Sequence, residues 1–124
     1  MKLKYIVGVV IMMLSFKLSA QQTQPNMAQK LIGTWVSEDD TKLKLVIGNT
    51  TYSEYYDGEL LETFGYMIGP QCGDETDFNA QFLKSTDASG QEFCYELYGA
   101  DANGSGVLSM RYLGNGKIFV YNKQ

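Results

Sequence analysis

The side chains that most often carry out catalysis are scarce in this 124-residue chain, which contains no histidine and two cysteines. Histidine is the usual general base near neutral pH and a common zinc ligand. Its absence excludes Ser-His-Asp and Cys-His sites as well as the usual zinc centres. The groups that remain available for chemistry are carboxylates, the cysteine pair and tyrosines.

Two clusters of carboxylates are the first candidates for a catalytic site. Glu38-Asp39-Asp40 and Asp74-Glu75-Thr76-Asp77 could each contribute one member of the acid and base pair that glycoside hydrolysis requires. Both clusters fall in predicted loops, and nothing in the sequence buries one carboxyl enough to separate its pKa from that of the other. The sequence therefore predicts a protein that is not an enzyme.

A calcium loop is the next candidate, because Asp101, Asn103 and Ser105 are followed by Gly106. Oxygen side chains at relative positions one, three and five, with glycine at six, form the first half of an EF-hand loop. Position twelve holds Tyr112 instead of the bidentate glutamate, so a glycine-rich turn is the preferred interpretation. We predict neither a metal nor a cofactor.

Residues 1–20 have the order of basic, apolar and small residues that is typical of a secretory signal peptide. Lys2 and Lys4 precede an apolar run over 5–16, and Ser19 and Ala20 end the segment. The apolar run is shorter than the ~20 residues that cross a bilayer. We predict cleavage after Ala20, no membrane span after cleavage, and a periplasmic or secreted mature protein.

The charge of the predicted mature chain disfavours nucleic acid as a partner. The whole chain has ten basic and 14 acidic residues, and removal of Lys2, Lys4 and Lys17 leaves seven basic residues and a formal charge of −7. Binding to phosphates requires a basic face, which an excess of acidic residues disfavours, so we predict no nucleic-acid partner.

The two cysteines, Cys72 and Cys94, are 22 positions apart. In an oxidising compartment such a pair is structural by default, so we predict one disulfide. A redox pair or a metal thiolate site would need C-x-x-C spacing or further ligands, which the sequence does not contain.

From Gly33 onward, apolar residues recur with period two, as strands with one buried face require. We predict one β-barrel domain over 31–124, preceded by a polar N-terminal lead, 21–30. The apolar stretch at 27–32 predicts a short N-terminal helical turn. Eight strands are predicted at 33–37, 42–47, 50–56, 59–68, 78–85, 91–98, 106–113 and 117–122.

Turn residues separate the predicted strands and determine how they connect. Asp57-Gly58 and Asn115-Gly116 are dipeptides that supply the positive φ angles of two-residue hairpins. Successive hairpins leave two sheet edges, which a small domain protects best by closing the sheet on itself. We therefore predict an all-β fold, an eight-stranded antiparallel up-and-down β-barrel, with a two-sheet sandwich as the alternative.

The segment Leu31-Ile32-Gly33-Thr34-Trp35 joins an apolar half-turn to a G-x-W motif at the start of the first strand. This motif resembles the opening of lipocalin-like (calycin) barrels, and the final hairpin, 107–113 with 117–121, is similar to the closing strands of bacterial members. The resemblance implies that Trp35, after Gly33, closes one end of the barrel. It also implies a basic side chain over the indole, a role that we assign to Arg111, the only arginine in the chain.

The resemblance implies an exported, non-enzymatic barrel that binds a small apolar or amphipathic ligand. A barrel of eight strands leaves room for its own side chains or for one small ligand, so a filled interior stays open as an alternative. Tyrosine combines apolar area with a polar tip and suits a pocket wall. The predicted ligand-binding residues are Tyr95, Leu97, Met110, Tyr112 and Phe119.

A second branch of the same superfamily consists of small periplasmic inhibitors of serralysin-type metalloproteases. They have similar size, a G-x-W start and one disulfide, and they insert an N-terminal segment into the protease cleft. The corresponding segment here is 21–26, which is polar. A protein partner bound in this way, or a structural module of the cell surface, is therefore the alternative function.

Overall fold

The alternation of apolar and polar residues produces the predicted β-structure. The structure is a computed structural model that describes residues 27–124. The predicted signal peptide and the segment 21–26, on which the inhibitor hypothesis depends, lie outside the described residues. A short helix, α1 (Met27–Leu31), precedes the strands. The strands are β1 (Gly33–Ser37), β2 (Leu43–Ile47), β3 (Thr51–Tyr56), β4 (Glu59–Gly69), β5 (Gln71–Cys72), β6 (Glu75–Thr76), β7 (Gln81–Thr86), β8 (Glu92–Ala100), β9 (Val107–Tyr112) and β10 (Ile118–Lys123).

Eight of these strands form a closed antiparallel barrel in the order β1, β2, β3, β4, β7, β8, β9, β10. The barrel closes where β1 pairs with β10, with Trp35 opposite Lys123 and Ser37 opposite Tyr121. The predicted all-β barrel is therefore confirmed, and the sandwich is wrong. Each predicted strand corresponds to one barrel strand, with bounds that differ by at most three residues.

The connection between β4 and β7 contains a small ribbon that the sequence did not predict. Strands β5 and β6 pair with each other outside the barrel, and β5 packs against β7. Phe82 on β7 faces away from the barrel interior, since its neighbour Leu83 faces inward, yet Phe82 is buried.

The two predicted two-residue hairpins have different outcomes. Asp57 and Gly58 have φ angles of 52° and 86°, as such a hairpin requires. The β9–β10 connection is instead a loop over 113–116, closed by a 2.8 Å hydrogen bond from the Gly116 amide to the Tyr112 carbonyl. The prediction there is wrong, because the Asn115 side chain accepts a hydrogen bond from the Lys117 amide and forms an Asx turn.

Helix α1 closes one end of the barrel. Leu31 and Trp35 are completely buried there, and the indole nitrogen of Trp35 donates a hydrogen bond of 2.8 Å to the Leu31 carbonyl oxygen. Gly33 has a φ of 143°, and a Cβ at this position would lie 3.1 Å from Cε of Lys123. The glycine of the G-x-W motif therefore provides both the backbone conformation and the space that Lys123 occupies.

Lys123, and not Arg111, is the basic residue over the indole of Trp35, with its Nζ atom 5.4 Å from the ring centroid. The assignment of this role to Arg111 was wrong, because side chains alternate between the two faces of β9. Its neighbours Met110 and Tyr112 face inward, so Arg111 faces outward. Its guanidinium there contacts Glu96 at 2.8 Å.

The predicted disulfide is confirmed between Cys72 on β5 and Cys94 on β8, with Cα atoms 5.8 Å apart. Cys94 is only partly buried, whereas Cys72 is 3% exposed. The bond attaches the β5–β6 ribbon to the outer wall of the barrel. Over residues 27–124, no helix is long and apolar enough to cross a membrane.

Candidate functional site

The part of the barrel interior nearer helix α1 is filled with side chains. A cavity of about 10 Å³ remains there, which is room for about one water molecule. The residues around it are Leu45, Ile47, Tyr52, Leu83, Leu108 and Met110. A ligand larger than water that binds inside the barrel therefore has to bind in the other part. This part lies towards the end with the loops 38–42, 57–58, 87–91 and 113–117, which we name the far end.

Six aromatic rings line the interior from Tyr52, which also borders the small cavity, towards the far end, and we name them the aromatic belt. Neighbouring rings have centroid distances between 4.9 Å, for the stacked pair Tyr52 and Phe64, and 6.4 Å, for Tyr95 and Phe119. Rings at these separations attract each other beyond the burial of their area. In order of contact, the belt consists of Tyr52, Phe64, Phe93, Tyr112, Tyr95 and Phe119.

The belt is reached by solvent, because its members other than Tyr52 are only partly buried. Tyr112 also contacts the loop at the far end. A Cβ at Gly114 would collide with the Tyr112 ring, so a residue without a side chain is needed at this position for the ring to keep its place. The belt therefore lines the partly exposed interior between the filled core and the far end, and we name this space the cup.

Two carboxylates face the same interior. Glu54 lies directly opposite Leu45 on one side and Glu62 on the other, and Leu45 is a buried core residue. Directly opposite residues share a face of the sheet, so both glutamates point inward. Burial raises the pKa of Glu54, and the charge of Glu62 raises it further.

Three tyrosine hydroxyls lie near Glu54, and one buried serine faces the same interior. Ser85 on β7 is completely buried, and its oxygen makes no hydrogen bond of acceptable geometry among residues 27–124, although it lies close enough to the Tyr52 hydroxyl to lower the pKa of that group. Tyr52 and Tyr121 are also buried, which raises the pKa of each hydroxyl, and burial raises the pKa of Tyr95 to about 12. All three tyrosines therefore stay neutral and can donate or accept hydrogen bonds.

The predicted ligand-binding residues fall into two groups in the structure. Tyr95, Tyr112 and Phe119 belong to the aromatic belt, whereas Leu97 and Met110 lie deeper, each 6% exposed, in the filled core. The sequence analysis missed the interior residues of β3 and β4. These are Tyr52, Glu54, Glu62 and Phe64, and the alternation Tyr52-x-Glu54 is the pattern that could have revealed the first two.

The carboxylates that the sequence singled out lie outside this interior. Asp40 accepts hydrogen bonds from the Tyr56 hydroxyl at 2.9 Å and from the Lys42 amide at 3.1 Å. Asp101 accepts a hydrogen bond of 2.7 Å from the Gly106 amide. These side chains therefore stabilise turns. Within the described chain, no group of three or more acidic, cysteine or histidine side chains is arranged to hold a metal ion.

The outer surface carries a larger depression, of about 530 Å³, beside the end of β4 and the β5–β6 ribbon. Lys84 and Glu92 line it and pair with each other at 3.6 Å. Unlike the barrel interior, this groove has no buried polar atom without a partner among the described residues. The interior is therefore the better candidate site.

Glu54→Gln is expected to increase the free energy of unfolding near neutral pH by roughly 0.2–1 kcal/mol, because it removes a like charge directly opposite Glu62. The pKa of Glu54 is raised in the folded wild type, so the wild-type glutamate favours folding most when it is protonated, below its unfolded-state pKa. That stabilisation is lost as the pH rises through the folded-state pKa of Glu54. In urea unfolding, Glu54→Gln should therefore be more stable than the wild type above the folded-state pKa and equally stable below about pH 4.

Glu59→Gln is the matched control for this measurement, since Glu59 is an exposed carboxylate on the same hairpin. It should leave the pH dependence of unfolding as in the wild type. A Glu54→Gln protein that is less stable than the wild type at pH 8 would contradict the prediction.

Comparisons with protein-family models, with curated proteins and with solved structures found no significant match for this chain, so its function has to be argued from the barrel itself.

Proposed function

We propose that the protein is an exported, non-enzymatic, lipocalin-like barrel that binds a small amphipathic molecule in the cup at its far end. The observation that supports this function most directly is the aromatic belt, which lines a solvent-reached interior above a filled core. Ligand sites of proteins typically combine aromatic walls with a few polar groups that fix orientation. The cup contains both.

The lipocalin-like assignment is supported by the architecture of the barrel. Eight antiparallel strands close in chain order, and Trp35, within the G-x-W motif, lies buried beside a short helix at one end. The disulfide between Cys72 and Cys94 supports export, since such bonds persist in oxidising compartments.

An uncharged, apolar fluorescent probe such as N-phenyl-1-naphthylamine tests this function on the mature chain. We expect Tyr95→Ala to weaken probe binding roughly two- to tenfold, because removing an aromatic partner costs about 0.5–1.5 kcal/mol in a packed site. Tyr98→Ala is the matched control, because Tyr98 lies on the same strand but is exposed on the outer surface. Circular dichroism verifies that both variants are folded.

Native mass spectrometry of protein purified from its own host provides a second measurement, with a co-purifying mass as the expected result. Equal probe binding by Tyr95→Ala and the wild type would remove the cup as the site. The absence of both probe binding and a co-purifying mass would reduce the protein to a filled barrel.

A further inference from the structure

The interior of the barrel contains negative charge without a positive partner. Glu54 and Glu62 face each other on β3 and β4, an arrangement that costs stability when both are ionised. The basic side chains that form ion pairs do so elsewhere in the described chain, with Glu92, Glu96 and Asp101. The two interior carboxylates have neither an ion pair nor a hydrogen bond over residues 27–124.

A second, independent observation concerns a buried serine that faces the same interior. Buried polar atoms are nearly always paired, because an unpaired one costs about 1–3 kcal/mol. The completely buried Ser85 oxygen makes no hydrogen bond of acceptable geometry among the described residues, although the Tyr52 hydroxyl lies close enough to it for Ser85 to lower the pKa of Tyr52. Its hydroxyl group can therefore still accept a hydrogen bond from a molecule in the barrel interior.

We propose that the ligand of this cup is a primary amine, whose ammonium group binds Glu54 and Glu62 and whose short apolar part contacts the aromatic belt. This inference rests on the proposed function and specifies its ligand. An ammonium group has three donors and no acceptor, which matches a site of carboxylate and hydroxyl oxygens. Aromatic faces within about 6 Å of a cation add attraction.

The same features select against other amphiphiles. An anionic head group would meet two carboxylates in a partly buried site, where like charges repel strongly. A neutral alcohol would leave the carboxylates without a countercharge. The filled core limits the length of the apolar part, since the cavity below the belt measures only about 10 Å³.

Isothermal titration of the mature chain with hexylamine, hexan-1-ol and hexanoate tests the proposal, because the three probes share one alkyl chain. We expect hexylamine to bind at least tenfold more tightly than hexan-1-ol, since hydrogen bonds to charged groups contribute about 1.5–3 kcal/mol. Hexanoate should bind most weakly. Equal affinities, or a preference for hexanoate, would overturn the inference.

Variants of the carboxylates connect this preference to the site. Glu54→Gln should weaken hexylamine binding roughly tenfold and leave hexan-1-ol binding unchanged, while Glu59→Gln, an exposed carboxylate on the same hairpin, should change neither. Glu62→Gln is a second variant with the same expected direction. Unchanged hexylamine binding in both interior variants would overturn the proposal, and urea unfolding verifies that each variant is folded.

The pH dependence gives a further readout. The groups that face Glu54 are Glu62 from β4, Tyr52 from its own strand, Tyr95 from β8 and Tyr121 from β10. Because the tyrosines stay neutral, hexylamine affinity should fall as Glu54 becomes protonated on acidification, and this fall should be smaller in Glu54→Gln. Probe binding without preference for the amine would overturn this inference alone, whereas the absence of any binding would overturn the proposed function as well.

Discussion

Replacing Trp35 with alanine is expected to lower the free energy of unfolding by about 3–5 kcal/mol, the range for removing a large buried aromatic side chain. Trp35 is completely buried, and its indole nitrogen satisfies the carbonyl of Leu31. The variant leaves both a cavity and an unpaired carbonyl beside helix α1. Since domains are stable by only about 5–15 kcal/mol, it should lie close to the limit of folding.

Urea unfolding followed by circular dichroism measures this effect, because Trp35 is the only tryptophan and the variant has no indole fluorescence. Trp35→Phe keeps an aromatic ring but has no donor for Leu31, so we expect a smaller loss. Lys123→Met removes the cation over the ring and should cost about 0.5–2 kcal/mol. A loss below about 1 kcal/mol in Trp35→Ala would contradict a closing role for this side chain.

The basic partner of Trp35 shows what a motif alone can and cannot predict. The G-x-W motif correctly predicts a buried tryptophan, but the cation above it depends on how the last strand pairs with the first. Closure places Lys123 opposite Trp35, a long-range register that no local pattern contains. The alternation of β9, with Met110 and Tyr112 inward, was the available indication that Arg111 faces outward.

The strands themselves were largely predictable, because period-two alternation is a local property of the sequence. The largest error is the start of β7, predicted at 78 and found at Gln81. Phe78 is 83% exposed in the preceding loop, where the Ala80 amide donates a hydrogen bond of 3.0 Å to the Asp77 carbonyl. Phe78 was predicted to lie in the strand because it is aromatic, but the turn that begins at Asp77 determines the backbone conformation there.

The inward position of Glu62 was difficult to predict because of a β-bulge. A regular hairpin around Asp57-Gly58 would pair Glu54 with Leu61, and Glu62 would then face outward. The observed register shifts between Glu54 and Tyr55, so that Leu61 is the additional residue and Glu62 lies opposite Glu54. Because one extra residue exchanges the two faces of a strand, pairing counted outward from the hairpin turn places Glu62 on the wrong face.

Replacing both Cys72 and Cys94 with serine is expected to lower the free energy of unfolding by roughly 2–4 kcal/mol, since the bond restricts the unfolded chain across 22 positions. The far-UV signature of the sheet should stay recognisable. The β5–β6 ribbon lies outside the barrel, whose eight strands pair independently of the bond. Urea unfolding of the variant and the wild type measures the difference.

Reduced wild-type protein is the matched control, because it lacks the bond but keeps both sulfur atoms. It should unfold at nearly the same urea concentration as the double serine variant, and a large difference would show that burial of the Cys72 side chain, rather than the covalent link, carries the effect. Thiol counting on unfolded, unreduced protein from the periplasm then tests the compartment. Two free thiols would mean that the bond does not form there, and the proposal of export would lose its structural support because disulfides persist in oxidising compartments.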